Sequence, residues 1–340
     1  MDIKFFPKES NEVGMNNKKS ILILYPVLLF LLAGICEVLY AGSHKVALLK
    51  DTSVILPAKT KITINWLSKP VSTKENRPAW EKGMKFSVSP GEELWVSREK
   101  LLLNSYRGFA YGMDKLFKDF LFLDNNAFFM TTDSYLGSLA VPDKKEFKLV
   151  NGVGPVKFQA LAGLPAMNCR MFAAAGSGIY LCGQNAGTGE NEVYYFSGDE
   201  PIKEMAVEGM KEKAALILFK KIFSTKSPVT CATGNGKTTY IASGKLVIEL
   251  KMGIDKIETF FVHPSNDITG LAYSENAGLF YSTTGGIGTG FKGGCFDFIK
   301  TSNPWIQLRK SNLYVFLPEN YGVLKVSNVD ELKPGAKNKK

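Results

Sequence analysis

From residue 85 onward the chain is built of short apolar or alternating runs, rich in Val, Ile, Phe, Tyr and Thr and broken by turn residues. That pattern predicts successive antiparallel hairpins, and the helical period is scarce. One segment, MKEKAALILFKKIF from Met210 to Phe223, fits either a helix or a buried strand bracketed by lysines. Periodicity does not separate the two.

The runs repeat. FLFLDNNAFFMTTDSYLGSLAV (Phe120 to Val141), GSGIYLCGQNAGTGENEVYYFS (Gly176 to Ser197), GNGKTTYIASGKLVIELK (Gly234 to Lys251), NAGLFYSTTGGIGTGFKGGCFDFIK (Asn276 to Lys300) and SNLYVFLPENYGVLKVSN (Ser311 to Asn328) share one plan. Each has a small polar turn, a strand ending in Tyr or Phe with small residues, a second turn and another apolar strand. PGEELWVSREKLLLNS, Pro90 to Ser105, is a weaker sixth copy. Most intervals are near the length of a four-stranded propeller blade, roughly 40 to 50 residues. A blade cannot bury both faces of its sheet alone, and stacking blades around an axis solves that problem. The predicted fold is therefore an all-β protein, a β-propeller of six blades over residues 85–329. Because the last copy ends soon after Asn328, closing the ring calls for an N-terminal strand within Val46 to Trp66. Residues 43–84 are thus either first propeller strands or a membrane-proximal β-rich segment. A β-sandwich is the structural alternative, and it does not need the repeat.

The start of the chain differs. After a mostly polar tail over residues 1–20, ILILYPVLLFLLAGIC runs from Ile21 to Cys36 without a charge, and the apolar stretch continues past Glu37 to Gly42. A membrane span needs about 20 apolar residues, and this segment has no polar face to mark it as an amphipathic core helix. Residues 21–42 are expected to be a transmembrane signal anchor. A cleaved signal peptide fits less well, since the preceding tail is long and Leu39-Tyr40-Ala41 is a poor cleavage site. LAGIC resembles a lipoprotein box but misses by one position, because Ile35 separates the small residue from Cys36. Lys18 and Lys19 before the span, against Lys45, Lys50 and Lys59 after it, favour the N-terminus inside. The expected location is a single-pass membrane protein with an extracytoplasmic C-terminal domain, periplasmic or at the cell surface.

Composition narrows the partners. With 45% hydrophobic and 22% charged residues the chain can fill a core. The net charge of +10 comes from scattered lysines, the arginines being Arg77, Arg98, Arg107, Arg170 and Arg309. Reading bases or clamping phosphates bidentately favours arginine, so nucleic acid is not expected as a partner. Cys169, Cys182, Cys231 and Cys295 form no C-x-x-C pair and no zinc spacing. Cys169 and Cys182 flank a hairpin turn, which leaves open a disulfide or small buried thiols. The basic tail over residues 330–340 carries no motif and is expected to be disordered.

SNDITGLAYSENAGLFYST, Ser265 to Thr283, resembles the blade signature of six-bladed propellers of the NHL and SMP-30/gluconolactonase type. It carries the pattern I-x-G-L-A, then a turn and an aromatic strand. The resemblance covers one blade well and implies strand packing. Enzymes of the second family hold a divalent metal, such as calcium, in the central channel on Glu, Asn and Asp ligands from several blades. Asp124, Asn125, Asp133, Asn185 and Asp267 have suitable oxygens, but turns enrich Asn and Asp for backbone reasons.

Two glycine-rich stretches test for nucleotide chemistry. GNGKTT, from Gly234, resembles the end of a P-loop, but Cys231 stands where the first glycine should be, and the flanking runs predict a hairpin. GTGFKG, Gly288 to Gly293, formally fits G-x-G-x-x-G but precedes a strand-like GCFDF. No nucleotide and no resident cofactor are expected. Gly285, Gly286, Gly288, Gly290, Lys292 and Gly293 remain as a candidate binding loop between two blade strands. The histidines are His44 and His263, too few for a His-based metal cluster. His263, before Pro264, is expected to be structural, and no catalytic residue is recognised. Two functions follow: a binding or scaffold module for a protein, peptide or glycan partner in the cell envelope, or a metal-dependent hydrolase or lactonase with its site in the channel.

Overall fold

The structure, a computed structural model, describes residues 45–49, 52–56, 60–68, 85–104, 109–112, 116–123, 126–131, 136–140, 159–161, 167–175, 178–197, 203–206, 213–216, 219–254, 256–317 and 322–332. The expected anchor at 21–42 and most of the basic tail lie outside these residues. Among the described residues no helix is long and apolar enough to cross a membrane.

The strands fall into six sheets. β1 (Lys45–Leu49), β2 (Thr52–Ile55) and β3 (Thr63–Ser68) come first in the chain but join sheets built later. The first sheet is β4 (Lys85–Val88), β5 (Leu94–Arg98), β6 (Leu101–Asn104) and β7 (Phe109–Gly112). The second begins with β8 (Phe117–Leu123), β9 (Asn126–Thr131), β10 (Leu136–Ala140) and β11 (Gln159–Leu161). The third holds β12 (Met167–Ala173), β13 (Ile179–Asn185) and β14 (Asn191–Phe196). The chain then adds β15 (Lys203–Ala206) and β16 (Lys213–Leu216) to the edge of the second sheet, β16 lying parallel to β11, before β17 (Lys220–Thr225) completes the third. β18 (Cys231–Gly234), β19 (Thr238–Ser243), β20 (Leu246–Lys251) and β21 (Lys256–Val262) form the fourth. The fifth is β22 (Ile268–Ser274), β23 (Gly278–Thr283), β24 (Gly286–Phe291) and β25 (Gly294–Lys300), extended by β2 and then β1. The sixth is β26 (Trp305–Arg309), β27 (Asn312–Leu317), β28 (Gly322–Ser327) and β3.

The repeat in the sequence is the central hairpin of each sheet. Turns between strands use residues that tolerate left-handed backbone: Gly244, between β19 and β20, has φ 57°, and Gly293, between β24 and β25, φ 87°. Met210 to Phe223 holds parts of two strands, β16 and β17, so the helical reading of that segment is corrected. Lysines at both ends and a short apolar stretch suit strand pairing here.

Alternation explains the packing. Along β13, Ile179 and Leu181 face one neighbour, in a core with Leu121, Met130 and Met171. Tyr180 and Cys182 face the other, with Ala232, Ile241 and Leu250. Both faces of the sheet are buried, because side chains point to opposite sides at successive positions. The same arrangement joins the fourth sheet to the fifth through Phe261 and Tyr281, and the fifth to the sixth through Phe280 and Val315. Val88 and Leu94 pack on Tyr314 and Phe316, which brings the sixth sheet back to the first. Trp95 meets Phe122 at 5.5 Å between the first and second.

An early strand and a late one share the sixth sheet. β3 pairs antiparallel with β28, Ile64 opposite Val326 and Asn65 opposite Lys325. A strand from the N-terminal side is therefore present on β28; it overlaps the end of the Val46 to Trp66 segment and runs on to Ser68.

Cys169, Cys182, Cys231 and Cys295 are free thiols. Cys169 stands opposite Gly183, and Arg170 opposite Cys182. The two cysteines thus point to opposite faces of the sheet and cannot bridge, which closes the disulfide alternative.

Candidate functional site

The first strands of the sheets, β4, β8, β12, β18, β22 and β26, lie next to one another in succession. Side chains fasten the last to the first. Gln307 on β26 accepts a hydrogen bond from the Val88 amide at 2.7 Å and donates to the Val88 carbonyl at 3.1 Å. Arg309 donates through Nε to the Val88 carbonyl at 3.0 Å and through Nη2 to the Phe122 carbonyl at 3.1 Å. Ser87 accepts from the Phe122 amide at 3.2 Å. Edge groups that no ladder satisfies are paired in this way, as buried backbone requires.

Five of these strands, β4, β8, β12, β22 and β26, border a cavity of ≈ 130 Å³, lined among others by Lys85, Asp119, Arg170, Thr269, Trp305 and Gln307. A second space, of ≈ 810 Å³, opens at one end between Glu92, Asn235, Glu275, Asn276, Arg309 and Lys310. Ala173, Ala174, Tyr273, Gln307 and Leu308 line both spaces. The second space is therefore the wide mouth of the narrow channel.

The charges inside the channel have distinct environments. Asp119 is buried, and its oxygens accept the amides of Met171 at 2.9 Å and Phe120 at 3.0 Å. Burial pushes its pKa up, against the opposing pull of the Met171 amide, Lys85, Arg170 and the Phe120 amide. Burial pulls the Lys85 pKa down; Asp119 works the other way, and the like charge of Arg170 adds to the lowering. Each cation rests on an aromatic ring, Lys85 Nζ 5.0 Å from the Trp305 centroid and the Arg170 guanidinium 5.4 Å from that of Phe172. One position before Asp119, Lys118 donates to the Asn168 side chain.

At the mouth, Glu92 occupies a left-handed turn with φ 60°. Both of its carboxylate oxygens accept from Lys325 Nζ at 2.7 Å, and Oε1 also accepts from the Tyr314 hydroxyl at 3.1 Å. The Lys325 bond, ahead of the other causes, holds its carboxyl below the ordinary value. This cluster ties the first sheet to the sixth at the rim.

The proposed binding-loop residues fall elsewhere. Gly286, Gly288 and Gly290 are buried positions in strand β24, so the stretch is not a loop between strands. A Cβ on Gly286 would stand 2.2 Å from the Ile299 carbonyl, and one on Gly290 would stand 2.3 Å from the Phe261 ring. The glycines are spacers for close packing. Gly285 and Gly293 are exposed beyond the strand's ends, and Lys292 pairs with Glu258 at 2.8 Å.

Of the oxygen donors considered for a metal, Asn185 spends its Oδ1 on the Gly187 and Thr188 amides of its own turn. Asp267 is exposed, outside the channel lining, and Asp124, Asn125 and Asp133 lie outside the described residues. Among the described residues no group of three or more His, Cys, Asp or Glu side chains could hold a metal. His263 is buried and accepts the Asn266 amide at 2.9 Å and the Ser265 amide at 3.3 Å on Nδ1. Its Nε2 therefore carries the proton and faces Asp297 at 3.4 Å, which also takes the Tyr281 hydroxyl at 2.6 Å. GNGKTT is a hairpin turn: Asn235 Oδ1 accepts the amides of Lys237 and Thr238, and the Gly236 amide donates to Tyr180.

No family model matches the sequence, and no curated protein does. Solved structures do. A gluconolactonase from Xanthomonas campestris superposes with a TM-score of 0.52 at 12% identity, covering 86% of this chain and 99% of its own. The fold is a β-propeller. Two other propeller-sized likenesses are a calcium-binding protein, regucalcin, from Agrobacterium tumefaciens, with a TM-score of 0.43 at 12% identity over 71% of this chain and 88% of that one, and YCF48 bound to a D1 peptide, with 0.42 at 10% identity over 77% and 97%. The propeller architecture places the channel and its mouth on the ring axis, where several sheets contribute side chains at once.

The channel residues Lys85, Asp119, Arg170, Gln307 and Arg309 were not among the candidates read from the sequence. Their signal is a charged or amide residue inside an otherwise apolar first strand, as in FKDFLFL and WIQLR.

Proposed function

We propose that the chain is a six-bladed propeller, anchored in the membrane by residues 21–42, that acts outside the cytoplasm as a binding module for a protein, peptide or glycan partner. Six sheets whose first strands follow one another support the count of six blades. The observation that carries the binding reading is the channel: a wide polar mouth of ≈ 810 Å³ leads to a narrower cavity lined by cations and aromatic rings. Mixed polar and apolar concave surface of that kind suits ligand capture.

The alternative, a metal-dependent hydrolase, needs oxygen ligands converging on a cation. In this channel the carboxylate of Asp119 is taken up by backbone amides and stands beside Lys85 and Arg170. That electrostatic setting suits an anion better than a divalent metal.

The address is tested by protease protection of a C-terminal tag in intact spheroplasts. Digestion without detergent is expected. Protection until the membrane is dissolved would overturn the extracytoplasmic reading and make the ring a cytoplasm-facing scaffold.

A further inference from the structure

The two channel cations are unspent. The Lys85 and Arg170 side chains each contact an aromatic ring, and among the described residues neither side chain makes a hydrogen bond or salt bridge. They are near enough for the Arg170 charge to disfavour that of Lys85, and both line the ≈ 130 Å³ cavity. The other polar groups around them are occupied: Ser87 and Gln307 serve the Val88 and Phe122 backbone, Asp119 holds two amides, and Thr269 pairs with Ser282 at 3.1 Å. Two like charges fixed beside one cavity repel each other until an anion comes between them.

We propose that this cavity is a carboxylate-binding site, in which the Arg170 guanidinium and the Lys85 ammonium hold one carboxylate group of a ligand entering from the mouth. Arg170 supplies the planar fork that matches a carboxylate, and Lys85 supplies a point charge. The carboxylate of Asp119 next to them sets the valence. It leaves room for a monoanion and opposes a dianion such as phosphate. At ≈ 130 Å³ the cavity holds the acidic group, and the remainder of the ligand occupies the mouth. The site rests on the reading of the channel as the surface that captures ligand, and it narrows that ligand to one with a free carboxylate.

The test is thermal unfolding of the purified full chain in detergent, titrated with sodium acetate against sodium chloride at matched ionic strength. A saturable rise in Tm with acetate is expected. The rise is lost in Arg170→Gln and Lys85→Gln, weakened about tenfold in apparent affinity in Arg170→Lys, which keeps the charge without the fork, and kept in the surface variant Lys226→Gln. No response beyond that of chloride overturns the site, as does an unchanged response in Arg170→Lys. A response to inorganic phosphate as strong as that to acetate overturns the carboxylate preference. Acetate binding and partner capture at the mouth are separate readouts, so either can fail while the other stands.

Discussion

Removing residues 1–68 is expected to abolish the cooperative thermal transition, whereas removing residues 1–42 leaves the melting temperature within about 2 °C of the full chain. The longer deletion takes β3 from the edge of β28, along the ladder that sets Ile64 opposite Val326. It also removes Val54, Leu56, Ile62 and Ile64, all buried in the core shared by the fifth and sixth sheets. At about 1.5–3 kcal/mol for each large apolar side chain, and before the ladder is counted, this loss is comparable with the ~5–15 kcal/mol that holds a domain folded. The exposed β28 edge is also a template for association. Thermal unfolding with light scattering reads both effects. A synthetic peptide spanning residues 60–68 should restore part of the transition by strand addition. A truncated chain that still melts cooperatively near the full-length temperature would show that the ring does not depend on its N-terminal strand.

The second large effect is expected at Gly286. A methyl group there meets the Ile299 carbonyl oxygen at 2.2 Å, and this backbone atom, on a strand paired with β24 on one side and β2 on the other, has no easy way to move aside. Gly286→Ala should cost about 3 kcal/mol, or roughly 5 °C for a chain of this size. Gly285→Ala, one position earlier, meets the flexible end of Asn266 at 3.0 Å and should cost less than about 1 kcal/mol. Equal, small effects at the two positions would return the glycine-rich stretch to the status of an adaptable loop.

The contrast between these neighbours shows what the sequence made legible. Strand content and the hairpin repeat were readable because alternation and turn residues are local. The closing strand was readable because a repeat that ends near Asn328 leaves an unpaired edge. The glycines at 286, 288 and 290 were legible as unusual but not as spacers, since the reason lies in Ile299, Tyr281 and Phe261, which only the sheets bring near. The cysteines behaved similarly: a spacing that allowed a bridge was undone by register, which puts Cys169 and Cys182 on opposite faces.

The channel was hidden for a related reason. Lys85, Asp119 and Arg170 are 34 or more residues apart and belong to three different sheets. Each is a charged position in a mostly apolar run, and nothing local announces that the three share a cavity. A systematic comparison of the first strand in each repeat, position by position, would have marked them.

The mouth of the channel is the working surface we propose. Photocrosslinking in intact cells tests it most directly, with a photoreactive residue placed at Lys310 or Asn276 on the mouth and at Ile257 on the outer edge of the fourth sheet, which is 53% exposed. Discrete adducts from the two mouth positions and none from Ile257 are the predicted result. Adducts from Ile257 with none from the mouth would contradict it, and would move the binding surface to the outer rim of the ring.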